Sequence, residues 1–205
     1  MKKTLFILLS IITLLFFTST NTKAQAFAGK GSKYFTLGVG VSHFIHFGGY
    51  RNYYNSYYYG YPYYYSYYRA FSPTVSINAN IEIGIHKYVG IAPLFGISTS
   101  IYGRRNVSLD IPLGVQGNFH FLQLIADKTG KSFAEKLDVY AGINLGGGPS
   151  IGFYGGSVVA SGFMFVGPQV GIRYYPKSNI GITAEVGYGK TIANVGMVLK
   201  MGGSK

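Results

Sequence analysis

The feature that most limits what this chain can fold into is a period-two alternation, repeated through eight segments, in which one parity is apolar and almost free of charge. In "TVSINANIEIGI" (74–85), Val75, Ile77, Ala79, Ile81, Ile83 and Ile85 fall on one side, and Thr74, Ser76, Asn78, Asn80, Glu82 and Gly84 on the other. Successive side chains of a strand point to opposite faces, so this pattern predicts a strand with two chemically different faces. The same parity rule runs through 34–42, 89–101, 107–121, 137–146, 166–174, 180–188 and 195–201. Pro93, Pro112 and Pro168 interrupt three of these segments, as is tolerated at bulges or strand ends. No later segment carries a sustained helical period, so the expectation is an all-β fold.

Which face meets solvent decides between two architectures. A soluble sandwich or barrel points its apolar face inward and its charges outward. A transmembrane barrel exchanges the faces, apolar toward lipid and polar toward the lumen. Here the apolar parity holds almost no charge, and the opposite parity is rich in glycine and small polar residues. That suits a narrow interior better than a hydrated surface. The predicted segments are also close to the roughly 9–11 residues that a strand needs to cross a membrane. The expected fold is an eight-stranded antiparallel up-and-down transmembrane β-barrel.

The first residues agree with export. "MKK" is followed by the thirteen-residue apolar run "LFILLSIITLLFF" (5–17) and then by "TSTNTKAQA". A basic start, a short apolar stretch and a small-residue exit predict a cleavable signal peptide over residues 1–26, cut after Ala24 or Ala26. The run is short for a membrane-spanning anchor. The remainder, 27–205, is one domain. With Lys2, Lys3 and Lys23 removed, the formal net charge falls from +12 to +9. The basic residues are scattered and the chain is exported, so the excess points to an anionic membrane surface and not to nucleic acid. The chain has no cysteine, which excludes disulfides and a lipid-modified cysteine.

With both termini on the periplasmic side, inner turns are expected at 86–88, 124–136 and 176–179. Outer loops are expected at 43–71, 103–106, 154–158 and 189–191. Tyr34, Tyr88, Phe121 and Tyr174 are expected as an inner aromatic girdle, and Phe44, Phe71, Tyr102, Phe153 and Tyr188 as an outer one. The first loop holds "YRNYYNSYYYGYPYYYSYYR" (50–69), with twelve of the twenty tyrosines. Tyrosine gives large contact area at low entropic cost, which suits a binding surface. The expected contacts are Arg51, Tyr53, Tyr54, Tyr57, Tyr58, Tyr59, Tyr61, Tyr63, Tyr64, Tyr65 and Arg69, toward lipopolysaccharide or a surface glycan or protein. An unspecific low-complexity loop is the competing reading.

Inside an eight-stranded barrel the side chains fill the lumen. Parity turns Glu82, Asp110, Arg173, Glu185 and Lys200 inward, with Asp138 and His120 toward the inner end. Buried charges pair or neutralise. Pairing is expected among Arg173, Glu185 and Lys200, with Glu82 and Asp110 as further acceptors. An internal polar plug and a gated pathway for a small solute are the two functional readings, and the small lumen argues against a general porin. His43 and His46 are the only outer histidines, and no Asp or Glu lies in an expected outer loop. A hydrolytic triad, as in a lipid-modifying enzyme, therefore lacks its carboxylate. No cofactor, metal site or catalytic residue is expected.

The signal peptide, the eight alternating segments and the closing "SNIGITAEVGYGKTIANVGMVLKM" (178–201) together resemble the small OmpA-like outer-membrane β-barrel domains, especially those common in Bacteroidota. The resemblance covers essentially the whole exported chain and is most specific over 179–201, which is similar to that group's final hairpin and closing-strand insertion signal. It implies residence in the outer membrane, assembly by the outer-membrane insertion machinery, and a structural or surface-interaction role, and it does not fix one function.

Overall fold

The alternation of faces is plain in the computed structural model, which describes residues 26–42, 44–47, 74–102, 106–130, 132–154 and 157–201. In β3 (Thr74–Gly84) the exposed side chains are Val75, Ile77, Ile81 and Ile83, with Val75 at 58%, whereas Glu82 is fully buried. Such a distribution would be inverted for a protein in water, and it is what acyl chains require of a strand that crosses them.

The strands form one closed ring. β1 (Lys33–Ser42) pairs on one side with β3 and on the other with β10 (Ala193–Lys200), so the ring has no free edge. Between them run β4 (Val89–Tyr102), β5 (Asn106–Asp110), β6 (Leu113–Phe119), β7 (Leu137–Tyr154), β8 (Ser157–Tyr174) and β9 (Ile180–Gly187), every neighbour antiparallel. β5 and β6 are one stave interrupted at Ile111–Pro112. β4 keeps a single register across the break, with Ser98 opposite Asp110 and Phe95 opposite Leu113. Pro112 has no N–H to give to the ladder, but its carbonyl still accepts from Gly96 N at 2.9 Å. The described residues thus make eight staves.

Closure fixes the girth. From Val170 on β8 the pairings run through Val186, Ala193, Val41, Val75, Thr99, Leu109 and Ile151, and return to β8 at Ala160, ten positions away. Eight strands with that stagger tilt by about 40° to the axis and leave a bore that side chains fill. No described helix is long and apolar enough to cross a membrane.

The staves differ in height. β7 and β8 have 18 residues each, and β9 and β10 have 8 each. The tall hairpin exceeds the roughly 9–11 residues of a crossing; β5 accompanies β7 up to Phe153, but β8 stands beyond β9 and β10 on the side away from the termini. β2 (Ile45–Phe47) uses the step. It leans over the low β9–β10 hairpin and pairs with Gly162–Met164 of β8, where β9 has already ended. The expected loop 43–71 therefore begins with a short docked strand. The rest of that loop, with Arg51, the ten named tyrosine and arginine contacts after it, and Phe71, lies outside the described residues.

Three other expectations are corrected. The segment 107–121 does not run as strand to its end, because β6 stops at Phe119 and helix α1 (Phe121–Thr129) follows. Gly130 ends the helix in the left-handed conformation, φ 66°, and a short 3-10 turn at 132–135 leads into β7. Tyr34 and Phe44 are not girdle residues, for both are buried inside the ring. And the outer hairpin 189–191 is not a solvated loop, because Lys190 turns back into the barrel and is 1% exposed. Tyr174, Phe153 and Tyr188 do face outward.

Candidate functional site

The centre of the molecule is polar. Its inner half is organised around Arg173, which β8 carries inward beside Glu82 of β3 and Asp138 of β7. An Arg173 Nη2 hydrogen reaches Glu82 Oε2, and Nη1 lies 3.5 Å from Asp138 Oδ2. His120, at the step from β6 into α1, sits between the same acids. Its Nε2 is 2.7 Å from Glu82 Oε1 and its Nδ1 2.9 Å from Asp138 Oδ1. A ring that donates from both nitrogens is an imidazolium. With both acids ionised and both ring nitrogens donating, two carboxylates, one guanidinium and one imidazolium sum to zero charge in a buried site. The ring of His120 is committed to these acids, so the helix it precedes has no side-chain cap.

A second cluster fills the outer half. Lys190 Nζ lies 2.7 Å from Glu185 Oε2 and donates to Gln116 Oε1 at 2.8 Å. Asn194 Nδ2 donates to Glu185 Oε2 at 3.1 Å, and Tyr140 Oη donates to Glu185 Oε1 at 2.6 Å. The backbone N–H of Lys190 is held by Asn144 Oδ1 at 2.8 Å. Gly189 has φ +108° there, a conformation open to glycine, and this lets the short turn aim Lys190 inward. Tyr140 joins the two clusters, because the Arg173 guanidinium lies 4.3 Å from its ring centroid. The register leaves room for it: a Cβ at Gly171 would collide with the Tyr140 ring, and one at Gly90 with the Glu82 carboxylate.

Each residue expected inside can now be placed. Glu82, Arg173 and Glu185 are buried in the clusters, but the expected triad of Arg173, Glu185 and Lys200 is not brought together. Arg173 pairs with Glu82 and Asp138, and Glu185 with Lys190. On β10 the register partner of Glu185 is Asn194, while Lys200 stands opposite Tyr34 at the foot of the barrel. There it is half-buried, its Nζ 4.8 Å from the Tyr175 ring centroid. Asp110 is buried on β5, in register with Ser98 and Ser150. Lys190 and Tyr140, with the amides Gln116, Asn144 and Asn194, are network members that expectation missed. The inward parity of Tyr140 was readable on β7, but a turn residue has no parity to read.

Two buried apolar clusters flank the polar centre among the described residues. At the foot, Phe27 stacks on His120, centroids 3.5 Å apart and planes 9° from parallel, and packs with Ala26, Tyr34, Tyr175 and Val198. Backbone bonds fasten this segment: Ala26 N donates to Ala134 O at 2.9 Å and Gly31 N to Gly84 O at 2.8 Å. Toward the other mouth, Phe44, Leu94, Phe163 and Phe165 form a second cluster, with Phe44 and Phe163 at 4.5 Å.

Among the described residues, exposed charge outside the ring lies at one end. Among the described residues the exposed basic side chains are Lys30, Lys33, Lys87, Lys128, Lys136 and Lys177, all at the end that carries the termini. Lys87 pairs with Asp127 of α1 at 2.9 Å and lies 5.4 Å from the Tyr88 ring centroid. The hydrogen bond from Lys87 holds the Asp127 carboxyl below the usual aspartate range, and the same bond raises Lys87. Lysine beside tyrosine at a strand foot suits a membrane–water interface.

Comparison with solved structures returns the same architecture. The chain is similar to Neisserial surface protein A, with 12% identity, TM-score 0.56, and 84% of this chain and 100% of that one covered. It is similar to the N-terminal β-barrel domain of Pseudomonas aeruginosa OprF, with 11% identity, TM-score 0.51 and coverage of 84% and 98%. The attachment invasion locus protein Ail of Yersinia pestis aligns at 12% identity and TM-score 0.47, with coverage of 83% and 95%. No family model matches the chain, and no curated protein matches it in sequence. The fold is that of the small eight-stranded outer-membrane β-barrels.

Proposed function

We propose that this outer-membrane β-barrel is a closed, non-catalytic envelope protein that works through its outer surface, in cell-envelope structure or in surface contact, and not through its lumen. The observation that carries the reading is the pair of apolar clusters. Phe27 toward one mouth and the Phe44–Phe163–Phe165 group toward the other flank two ion clusters that each balance to zero. A path for a small solute would have to break paired charges in a buried interior, where removing one partner costs about 3–5 kcal/mol. That is why the transport reading stands second.

The surface then carries the function. The partners in this reading are outer-membrane lipid and lipopolysaccharide around the barrel, and a glycan or protein met by the tyrosine-rich loop. The insertion machinery of the outer membrane is the partner during assembly. The Bacteroidota-type OmpA-like grouping, which rests on the likeness of residues 179–201, belongs to the same reading.

Reconstitution in a planar bilayer tests the closed lumen: no steady conductance is expected, and stable single-channel steps would turn the assignment to transport. Deletion of residues 50–69 tests the loop. Loss of binding to cell-surface glycans or matrix, with the barrel still assembled, is expected; unchanged binding would remove the loop from the account.

A further inference from the structure

The foot of the barrel bears on how the chain is processed. Ala26 and Phe27 are not a loose tail. Ala26 is fully buried and its N–H is taken by Ala134 O, and Phe27 is 1% exposed on top of His120. The next residue is held as well, Ala28 N donating to Tyr34 Oη at 2.6 Å. The tidiest small-residue signature in the leader is Ala24-Gln25-Ala26, which puts the cut after Ala26. That cut would discard a packed residue with its hydrogen bond. It would also turn the Phe27 amide into an ammonium, in a buried place beside a cluster whose guanidinium and imidazolium already match its two carboxylates. A cut after Ala24 has none of these consequences. It still has a small residue directly before the bond and another, Thr22, two places earlier.

We propose that export processing hydrolyses the Ala24–Gln25 bond and spares Ala26 as part of the barrel floor. The inference rests on the reading of residues 1–26 as a secretory leader. The step is a peptide-bond hydrolysis by an endopeptidase of the signal-peptidase class. Water gives its hydroxyl to the Ala24 carbonyl carbon and a proton to the Gln25 nitrogen, with nothing oxidised or reduced. The freed Gln25 amine can then close on its own side-chain carbonyl and release ammonia.

The test is expression of the full chain in a Gram-negative host, detergent extraction of the outer membrane, and intact mass with sequencing of the N-terminal peptide. A chain beginning at Gln25, open or cyclised, is expected. A chain beginning at Phe27 would overturn the placement and leave the leader reading intact. A chain still carrying Met1 would overturn the leader reading itself. Two variants separate the rival cuts without depending on folding, since processing is read by mass. Thr22→Tyr alters only the proposed site and should accumulate precursor. Ala26→Val places a branched side chain directly before the rival bond and should be processed like the parent chain; the opposite pattern would assign the cut to Ala26–Phe27.

Discussion

Glu82 is the side chain on which the inner half of the barrel turns. One of its oxygens receives Arg173 and the other His120, so it balances two cations at once. Glu82→Gln keeps the shape and removes the charge. It is expected to lower stability by about 3–5 kcal/mol, measured by urea unfolding in detergent or lipid; a loss within ordinary surface scatter would deny the cluster its role. Asp127 makes the opposite case at the exposed end. Its folded pKa lies below the unfolded value of about 3.9, so its contribution is present above that value and is lost as pH falls through the lower folded one. Exposed pairs contribute little. The expected signature is local: amide signals of α1 should shift as that carboxyl titrates, and Lys87→Gln should return the midpoint to the ordinary aspartate range. An unmoved midpoint would dismiss the pair.

At the scale of elements, the step between the tall β7–β8 hairpin and the low β9–β10 hairpin predicts a gradient of protection. Residues 169–174 of β8 lie between β7 and β9, whereas 158–161 have β7 on one side and lie beyond the three β2 pairs on the other. Hydrogen exchange in bilayer discs should therefore be faster at 158–161 than at 169–174; equal protection would mean that another segment covers that edge. The same elements show what could be read in advance. All eight staves were legible because parity is local, and Val75 or Ile143 declares its face without knowledge of its neighbours. The upper half of β7 was not, because Gly146, Gly147 and Gly148 erase the alternation that marks a face. Helix α1 was hidden because Phe121 continues the parity of Phe119. The ion clusters were half legible: facing inward is a property of one strand, but which charge meets which depends on register around the ring, and this set Glu82, not Glu185, beside Arg173.

On the scale of the whole molecule the barrel is turned inside out relative to a protein in water. Apolar side chains look away from a filled polar cylinder into acyl chains, and closure, orientation and surface function all depend on this inversion. The absence of cysteine makes it directly measurable. Single cysteines placed at Val39, Ile77, Ile143 and Val195, and at Thr36, Asn78, Asn144 and Asn194, can be spin-labelled in the reconstituted protein and probed with oxygen and with a water-soluble paramagnetic reagent. The account predicts that the first four labels collide with oxygen and are shielded from the aqueous reagent, while the second four are shielded from both. Labels at Val39, Ile77, Ile143 and Val195 that meet the aqueous reagent freely would contradict it.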